Sequence, residues 1–568
     1  MHQCVLTKSC GPSTARLTRS VHQQSMQSKE DINFSAPAWL SRAVFYEIYP
    51  PSFCDSNGDG IGDLAGILAR LDYIQSLGCN AIWLNPCWDS PFEDGGYDVS
   101  DFYKVAPRYG SNTDLQKLIK ECHRRGMKII LDLVPGHTSN RHPWFQKSAK
   151  VGKNKYSNWY IWTDSVWRGT GCQKLETIRG FGQRDGAYVS NYFHFQPALN
   201  YGFARPAPDK PWQLPMDHPD VRAVHQELRK IMAFWLKRGV DGFRVDMASS
   251  LIKGEGSEEA VVKFWQDVRA WLQQEYPESI LVAEWSDPKT AINAGFHNDF
   301  LIHFGVEAYT YLFRAEPQRD IHESLNRGSS FFDRKGRGDI RKFLDVYLDH
   351  YRSTKGRGFI SIPSGNHDIG RLSMGRTSRD LKVIWAFLMT MPGVPYIYYG
   401  DEIGLRQVKC GGKEGGFGRT GARTPMQWDD SMNAGFSTAA SKHLYLPQDK
   451  SANRPTIAAQ LVGKKSLLNW VKALIALRSS HPALSAEGSF KPVFAEKGCY
   501  PFAYLRESGD EKILIAVNPS ACPVEADFRV PGAGQAVSKL MGHGECYRNG
   551  SSFHLKLPAI SAFLCKLS

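Results

Sequence analysis

Eight short apolar runs alternate with longer amphipathic stretches between residues 43 and 400, and this alternation constrains the fold more than any other feature. The runs span 43–50, 79–86, 128–134, 242–247, 280–285, 300–306, 359–364 and 395–400. Helical periodicity marks several of the intervening stretches, such as 64–78 and 221–239. Strands separated by helices pair in parallel, and eight such units close into a barrel. The sequence therefore predicts an α/β chain built on a (β/α)8 TIM barrel.

Two departures from this alternation indicate additional domains. Residues 138–205 lack a clear helix and are rich in aromatic residues and glycine, so we predict an inserted domain B after the third strand. From 484 to 568 short β-type runs take over, which predicts a C-terminal antiparallel β-sandwich, domain C. The barrel, domain A, then occupies 37–137 and 206–483, and the polar segment 1–36 is predicted to be a disordered tail.

Composition argues against several classes of partner. The net charge of +13 is spread thinly over 568 residues, so we predict no nucleic-acid partner. No uncharged apolar run is long enough to span a membrane, and residues 1–36 hold no apolar signal-peptide core. We therefore expect a cytoplasmic protein, although the acid-poor start faintly resembles an organellar transit peptide. The 12 cysteines form no C-x-x-C pair, which favours buried free thiols over zinc or redox chemistry.

Polar residues gather at the carboxyl ends of the predicted strands, where barrel enzymes place their active sites. They are Asp132 and His137, Arg244 and Asp246, Glu284, and His367 with Asp368. Glycoside hydrolysis requires one carboxylate at the anomeric carbon and one carboxylic acid at the leaving oxygen. Arg244, two residues away on the same strand face, would keep Asp246 ionised as a nucleophile requires, and Glu284 would donate the proton. Because barrels host many chemistries, these residues alone leave other activities open.

A separate signal lies in the loop DSNGDGIGD, residues 55–63. Asp55, Asn57, Asp59 and Asp63 alternate like the first ligands of a calcium loop, and the glycines permit a tight wrap. The loop is not an EF-hand, because Gly66 stands where the bidentate glutamate is required. We predict one structural Ca²⁺, with Mg²⁺ as a possible substitute, and no organic cofactor. The alternative is an Asx-rich turn without metal.

Several blocks of the chain resemble known sequences. DLVPGHTS, DGFRVDMAS, ILVAEW and SGNHD resemble the four sequence regions of the α-amylase superfamily, and GGYDVSDF, QPALN and GARTPMQWD resemble its oligo-1,6-glucosidase and α-glucosidase branch. The resemblance runs from about residue 37 to the C-terminus and implies Asp246 as nucleophile, Glu284 as general acid/base and Asp368 as transition-state stabiliser. It also implies substrate contacts by Tyr97, Asp98, His137, Arg244, His367 and Arg423, and the Ile61 carbonyl as a further calcium ligand. A core aromatic remains the alternative for Tyr97, and a structural role is favoured for Asp132.

Three residues depart from the family pattern. Gly136 replaces the asparagine that usually precedes His137, and Ala198 replaces the usual aspartate of QPALN. Met247 follows the nucleophile where the branch carries Val or Thr, so the linkage specificity does not follow from the resemblance.

We therefore predict a retaining, exo-acting α-glucosidase whose substrates are short α-glucosides of the maltose, isomaltose, sucrose or trehalose type. A transglycosylase such as trehalose synthase, an α-amylase acting on longer glucans and a non-catalytic relative are the alternatives. Residues 307–358 lack the RLDRD run of sucrose isomerases, which disfavours that activity.

Overall fold

The computed structural model describes residues 35–167, 170, 175–301, 307–314 and 330–568. In chain order the strands are β1 (Phe45–Ile48), β2 (Ala81–Leu84), β3 (Trp88–Asp89), β4 (Asp101–Val105), β5 (Lys128–Leu133), β6 (Thr177–Ile178), β7 (Tyr188–Val189), β8 (Gly242–Val245), β9 (Ile280–Ala283), β10 (Asn298–Phe300), β11 (Phe359–Ser361), β12 (Tyr396–Tyr398), β13 (Ser489–Phe494), β14 (Phe502–Ser508), β15 (Glu511–Asn518), β16 (Val524–Phe528), β17 (Val537–Gly542), β18 (Glu545–Asn549), β19 (Ser552–Leu557) and β20 (Ser561–Leu567). The α-helices are α1 (Leu64–Ala69), α2 (Leu71–Leu77), α3 (Asn112–Arg124), α4 (Pro143–Ser148), α5 (Pro219–Leu236), α6 (Ser257–Glu275), α7 (Pro288–Asn293), α8 (Glu307–Phe313), α9 (Ile340–Thr354), α10 (Ser378–Thr390), α11 (Ile457–Val462) and α12 (Leu467–Ser480). The predicted tail lies outside the described residues except for its last two positions.

Eight parallel strands form the central sheet, in the order β11-β10-β9-β8-β5-β2-β1-β12. The register pairs Phe45 of β1 with Ala81 of β2 on one side and with Tyr396 of β12 on the other. The strands β11 and β12 stand at the two ends of this order, where the Ser364 N–H donates to the Tyr396 carbonyl at 3.0 Å. The predicted (β/α)8 TIM barrel is confirmed.

The barrel strands are apolar because they are covered on both faces, as is usual for parallel sheets. Every residue of β1, β2, β8 and β9 is buried. Helix α3 illustrates how the sequence determines a helix of the outer layer. Ser111 and Asp114 form a capping box at its start, and the buried residues that follow keep helical spacing: Leu115, Leu118, Ile119 and Cys122.

The sixth strand lies two residues before the position predicted for it. It runs from Asn298 to Phe300, whereas the prediction was 300–306, of which residues 302–306 lie outside the described part of the chain. Two polar residues open this strand, and both are fully buried with partners: Asn298 donates to the Tyr396 hydroxyl at 3.2 Å and Asp299 accepts from the Trp285 N–H at 3.0 Å. The strand begins with two polar residues, so a prediction based on apolar runs places its start two residues too late.

The two additional segments follow the predicted order along the chain. Between β5 and α5 the insertion carries α4 and the antiparallel pair β6–β7, and Ala198 lies in its small apolar core. At the C-terminus a five-stranded sheet, β13-β14-β15-β20-β17, and a three-stranded sheet, β16-β19-β18, are antiparallel and share an apolar core. The predicted C-terminal antiparallel β domain is confirmed, and the individual domain boundaries stay predictions.

Two further findings concern the whole described chain. None of the described helices is long and apolar enough to cross a membrane. All nine cysteines among the described residues are free.

Candidate active site

A cavity of about 280 Å³ opens at the carboxyl ends of the barrel strands. Four carboxylic acids line it: Asp94, Asp246, Glu284 and Asp368. Tyr97, His137, Tyr192, Trp285 and Arg419 line it as well, together with smaller side chains. Five of the nine predicted catalytic and substrate-binding residues line this cavity, and the four that do not are Asp98, Arg244, His367 and Arg423.

The guanidinium of Arg244 organises the acids at the tips of β5, β8 and β9. It donates to Asp132 at 2.7 Å and to Asp246 at 2.9 Å, and it forms an ion pair with Glu284 at 2.8 Å. Arg244 is itself only 1% exposed, so these charge-assisted bonds are formed away from bulk water. Asp132 also accepts from the indole of Trp83 at 2.9 Å, in agreement with the structural role favoured for it.

The pKa of Asp246 differs from our expectation. We predicted that Arg244 would keep Asp246 ionised, but one positive charge is shared here among three carboxylates. Burial and then the neighbouring Glu284 carboxylate raise the pKa of Asp246 well above its usual range, and Arg244 offsets only part of this. Asp246 and Glu284 contact the same guanidinium. The predicted reaction requires one ionised and one protonated carboxyl group at this position.

The backbone turns sharply after each of these two acids. Met247, directly after Asp246, has φ of 43°, and Ser286, two residues after Glu284, has φ of 62°. The turn at Met247 directs its N–H to a carboxylate oxygen of Glu284 at 2.9 Å, so the two strand tips are joined. Met247 and Ser286 both line the cavity.

The tip of the seventh strand holds a cationic histidine between two acids. His367 Nδ1 donates to the buried Glu47 at 3.0 Å, and its Nε2 lies 3.1 Å from Asp368. Burial alone would lower the pKa of His367, but Asp368 and then Glu47 raise it to about 9. Burial would likewise raise the pKa of Asp368, but His367 and Arg419 hold it well below its usual range. Asp368 therefore presents a permanent negative charge to the cavity.

Tyr97 is a cavity residue and not only a core aromatic. Its ring stacks on His367 with centroids 5.2 Å apart, and its hydroxyl donates to Asp132 at 3.1 Å. The ring is thereby held in place at the cavity wall.

Asp98 is not among the residues that line the cavity, and its predicted contact with sugar stays a prediction. Asp98 is fully buried, and its carboxylate accepts hydrogen bonds from Ser90 and from the N–H groups of Glu93 and Asp94 at 2.9–3.0 Å. These hydrogen bonds fix the conformation of the loop, residues 90–98, that ends at Asp98. The carboxylate that reaches the cavity from this loop is Asp94, four residues earlier.

Arg423 lies beside the cavity without lining it, and its predicted contact with substrate stays a prediction. Its guanidinium lies behind the wall, where it donates to the His367 carbonyl at 2.8 Å and to Asp368 at 3.2 Å. Arg419, one helical turn earlier, is the arginine that lines the cavity, and it joins Asp368 to Asp94, which lies 3.1 Å away. Sequence reasoning missed both Asp94 and Arg419, and the acid directly before the Gly95-Gly96 turn was the one local signal available.

This ion-pair network forms one part of the cavity wall, and we interpret that part as a closed end. The Asp94 carboxylate accepts from Arg419 at 3.1 Å and from Gln196 of the insertion at 2.8 Å. Burial raises the pKa of Asp94 to about 7, although Arg419 and then Arg423 lower it. Gln196 is itself fully buried, so side chains of the barrel loops and of the insertion together form this part of the wall.

The 55–63 loop forms a set of Asx turns. Asp55 accepts from the N–H groups of Asn57, Gly58 and Gly60, and Asn57 and Asp59 each accept from the N–H two residues later. Asp63 caps α1 through the Gly66 N–H. Within the described residues no group of three or more His, Cys, Asp or Glu side chains is arranged to hold a metal ion. The donor set consists of hard oxygens of the type that Ca²⁺ prefers, but Asp55 and Asp63 each accept four hydrogen bonds within the protein, and the calcium site stays a prediction.

Comparison with known proteins gives a consistent set of relatives. The sequence profile of the α-amylase catalytic domain matches residues 47–487, and that of the maltogenic amylase C-terminal domain matches residues 501–564. A trehalose synthase/amylase of Mycobacterium tuberculosis is 33% identical, with 92% of this chain and 89% of that protein covered. An oligo-1,6-glucosidase of Parageobacillus thermoglucosidasius is 31% identical, with 87% and 92% covered. The crystal structure of a trehalulose synthase from Pseudomonas mesoacidophila superposes with a TM-score of 0.77 at 25% identity, covering 94% of this chain and all of that one.

Proposed function

The chain belongs to the α-amylase family of glycoside hydrolases, and on that premise we propose that it is a retaining, exo-acting α-glucosidase that releases glucose from short α-glucosides. The observation that carries the proposal is the pairing of two features in one cavity. Asp246 and Glu284 share one guanidinium, and the buried Asp94–Arg419–Gln196 network, which also contacts Asp368, forms another part of the cavity wall.

The reaction then proceeds in two displacements on the same carbon. Asp246 attacks the anomeric carbon while Glu284 gives its proton to the glycosidic oxygen, so the C–O bond to the leaving sugar breaks and a glucosyl-aspartate forms. Glu284, now ionised, takes a proton from water, and the resulting hydroxyl displaces Asp246 with the second inversion. Two inversions return the α-configuration in the released glucose.

The remaining side chains hold the sugar and its developing charge. Asp368, kept ionised by His367 and Arg419, faces the oxocarbenium-like transition state and accepts from ring hydroxyls. Asp94 and Arg419 bind the hydroxyls at the non-reducing end in place of the Asp98 and Arg423 that the sequence suggested. His137 and Tyr97 complete the wall around the same glucose unit.

The support for exo action is the Asp94–Arg419 ion pair in the cavity wall. A glucan chain running through the site would have to pass the buried Asp94–Arg419 pair, which is held further by Gln196 and Asp368. Only a non-reducing terminal glucose fits that end, so starch should be a poor substrate compared with disaccharides.

The second candidate is a disaccharide isomerase of the trehalose synthase type. Its support is the similarity to the mycobacterial trehalose synthase/amylase over most of both chains. An isomerase forms the same glucosyl-aspartate and differs in the acceptor, since the released sugar rather than water attacks the intermediate.

One experiment separates these activities. The protein is incubated with maltose, isomaltose, sucrose, trehalose, maltotriose and starch, and the products are identified over time, with Asp246→Asn as the matched control for contaminating activity. Free glucose from disaccharides, with starch nearly untouched, supports the α-glucosidase. An isomeric disaccharide with little glucose replaces it by the isomerase, and oligosaccharides from starch replace it by an α-amylase. Proton NMR of the first product must show α-glucose before mutarotation, or retention is refuted.

A further inference from the structure

We infer that Asn191 of the insertion is a positioning residue that holds His137 as the neutral tautomer carrying its proton on Nε2. The inference rests on the proposed function in so far as that N–H would donate to a hydroxyl of the bound glucose. The three residues involved besides His137 are Gly136, Asn191 and Lys253, and none of them lines the cavity.

Asn191 occupies the space that a side chain at position 136 would need. A Cβ built on Gly136 would lie 2.7 Å from Asn191 Nδ2 and 3.3 Å from Ser250 Oγ. The absence of a side chain at Gly136 therefore lets the insertion place an amide directly beside the ring of the next residue. Asn191 Nδ2 lies 3.1 Å from His137 Nδ1.

Lys253 fixes which end of this amide faces the histidine. Its ammonium donates to Asn191 Oδ1 at 3.1 Å and also to the Ser250 carbonyl. An ammonium group can only donate, so the amide oxygen must face Lys253 and the NH₂ group must face His137. His137 Nδ1 therefore accepts, and the ring proton is on Nε2.

The tautomer matters because His137 is uncharged. Burial lowers the pKa of His137 to about 3, so near neutral pH only one of its two nitrogens carries a hydrogen. The ring lines the cavity, and the backbone carbonyl of Tyr97 also lies within hydrogen-bond reach of it.

Asn191→Asp tests the assignment with almost no change in shape. The new carboxylate pairs with Lys253 and can only accept, so Nδ1 must now carry a proton. Histidine labelled with ¹⁵N reports the protonation of each ring nitrogen directly, and the signals of His137 among the 17 histidines are identified by their loss in His137→Gln. Asn154→Asp is the matched control, because it makes the same charge change in the insertion, where Asn154 bonds only to nearby backbone carbonyls and turn residues.

We expect Nε2–H in the wild type and in Asn154→Asp, and Nδ1–H or the imidazolium in Asn191→Asp. On an aryl α-glucoside, kcat/KM should fall by about tenfold in Asn191→Asp, the size of one lost hydrogen bond. Unchanged ¹⁵N signals of His137 in Asn191→Asp would overturn the inference, and so would Nδ1–H in the wild type. If the wild type cleaves no α-glucoside, the proposed function fails, and the tautomer measurement still decides the role of Asn191.

Discussion

Asp94→Asn tests whether the Asp94–Arg419–Gln196 network binds the terminal glucose. The hydrogen bonds of Asp94 set the expected size of its effects on folding stability and on kcat/KM. Each Asp94 oxygen faces a donor, one from Arg419 and one from Gln196. An asparagine offers one oxygen and one NH₂ group, so in either orientation a donor faces a donor. The unpaired buried donor should cost about 1–3 kcal/mol of folding stability. Loss of one charge-assisted bond to a sugar hydroxyl, about 1.5–3 kcal/mol, should lower kcat/KM by about 10- to 150-fold.

The same variant should change the pH dependence of the wild type. Because burial raises the pKa of Asp94 to about 7, part of the protein holds a protonated Asp94 at neutral pH. The ionised form accepts more hydrogen bonds from sugar hydroxyls, so kcat/KM should rise as pH rises through about 7. Asp94→Asn has no group to ionise there and should lack this rise.

Two variants of the same loop serve as comparisons in an aryl α-glucoside assay with melting curves. Asp89→Asn removes an equal charge at a residue whose ion partner is the exposed Lys104, and it should match the wild type. Asp98→Asn should lower the melting temperature more than it lowers kcat/KM, since Asp98 supports the loop without lining the cavity. Wild-type kcat/KM and pH profile in Asp94→Asn, or a larger kinetic loss in Asp98→Asn, would refute the reasoning.

Three further predictions follow from the site and its surroundings. Asp246→Asn and Glu284→Gln should each lower kcat by orders of magnitude with a near-normal melting curve, and azide should restore Glu284→Ala on a substrate with a good leaving group; full activity in Asp246→Asn would contradict the mechanism. Glu47→Gln should lower the pKa of His367 from about 9, so the alkaline fall of kcat/KM moves to lower pH; an unmoved profile would exclude this role. Exhaustive chelation should lower the melting temperature more than the initial rate if the 55–63 loop binds Ca²⁺, and equal stability would remove that ion.

The fold could be predicted from sequence wherever burial and apolar character coincide. The fully buried β1, β2, β8 and β9 are apolar enough to stand out, and the spacing of buried residues in α3 is that of one helix face. The sixth strand fails this criterion, because its buried Asn298 and Asp299 are stabilised by hydrogen bonds rather than by apolar contact.

Asp246 and Glu284 could be placed from the sequence because strand tips are local features, whereas the Asp94–Arg419 network could not. Asp246 and Glu284 follow recognisable strands, so their convergence follows from the barrel alone. Asp94 and Arg419 lie 325 residues apart on loops, and no periodicity predicts that such loops meet. The Asn191–His137 contact has the same origin, since it depends on how the insertion folds back over Gly136.

The left-handed backbone conformations at Met247 and Ser286 have a consequence for the thermal stability of the protein. Outside glycine, this backbone conformation costs on the order of 1–2 kcal/mol per residue, so the chain retains avoidable strain immediately beside its two reacting acids. A selection for heat tolerance would favour glycine at these positions first. Both residues also line the cavity, so such a selection would change the shape of the proposed substrate site as well as the stability of the protein.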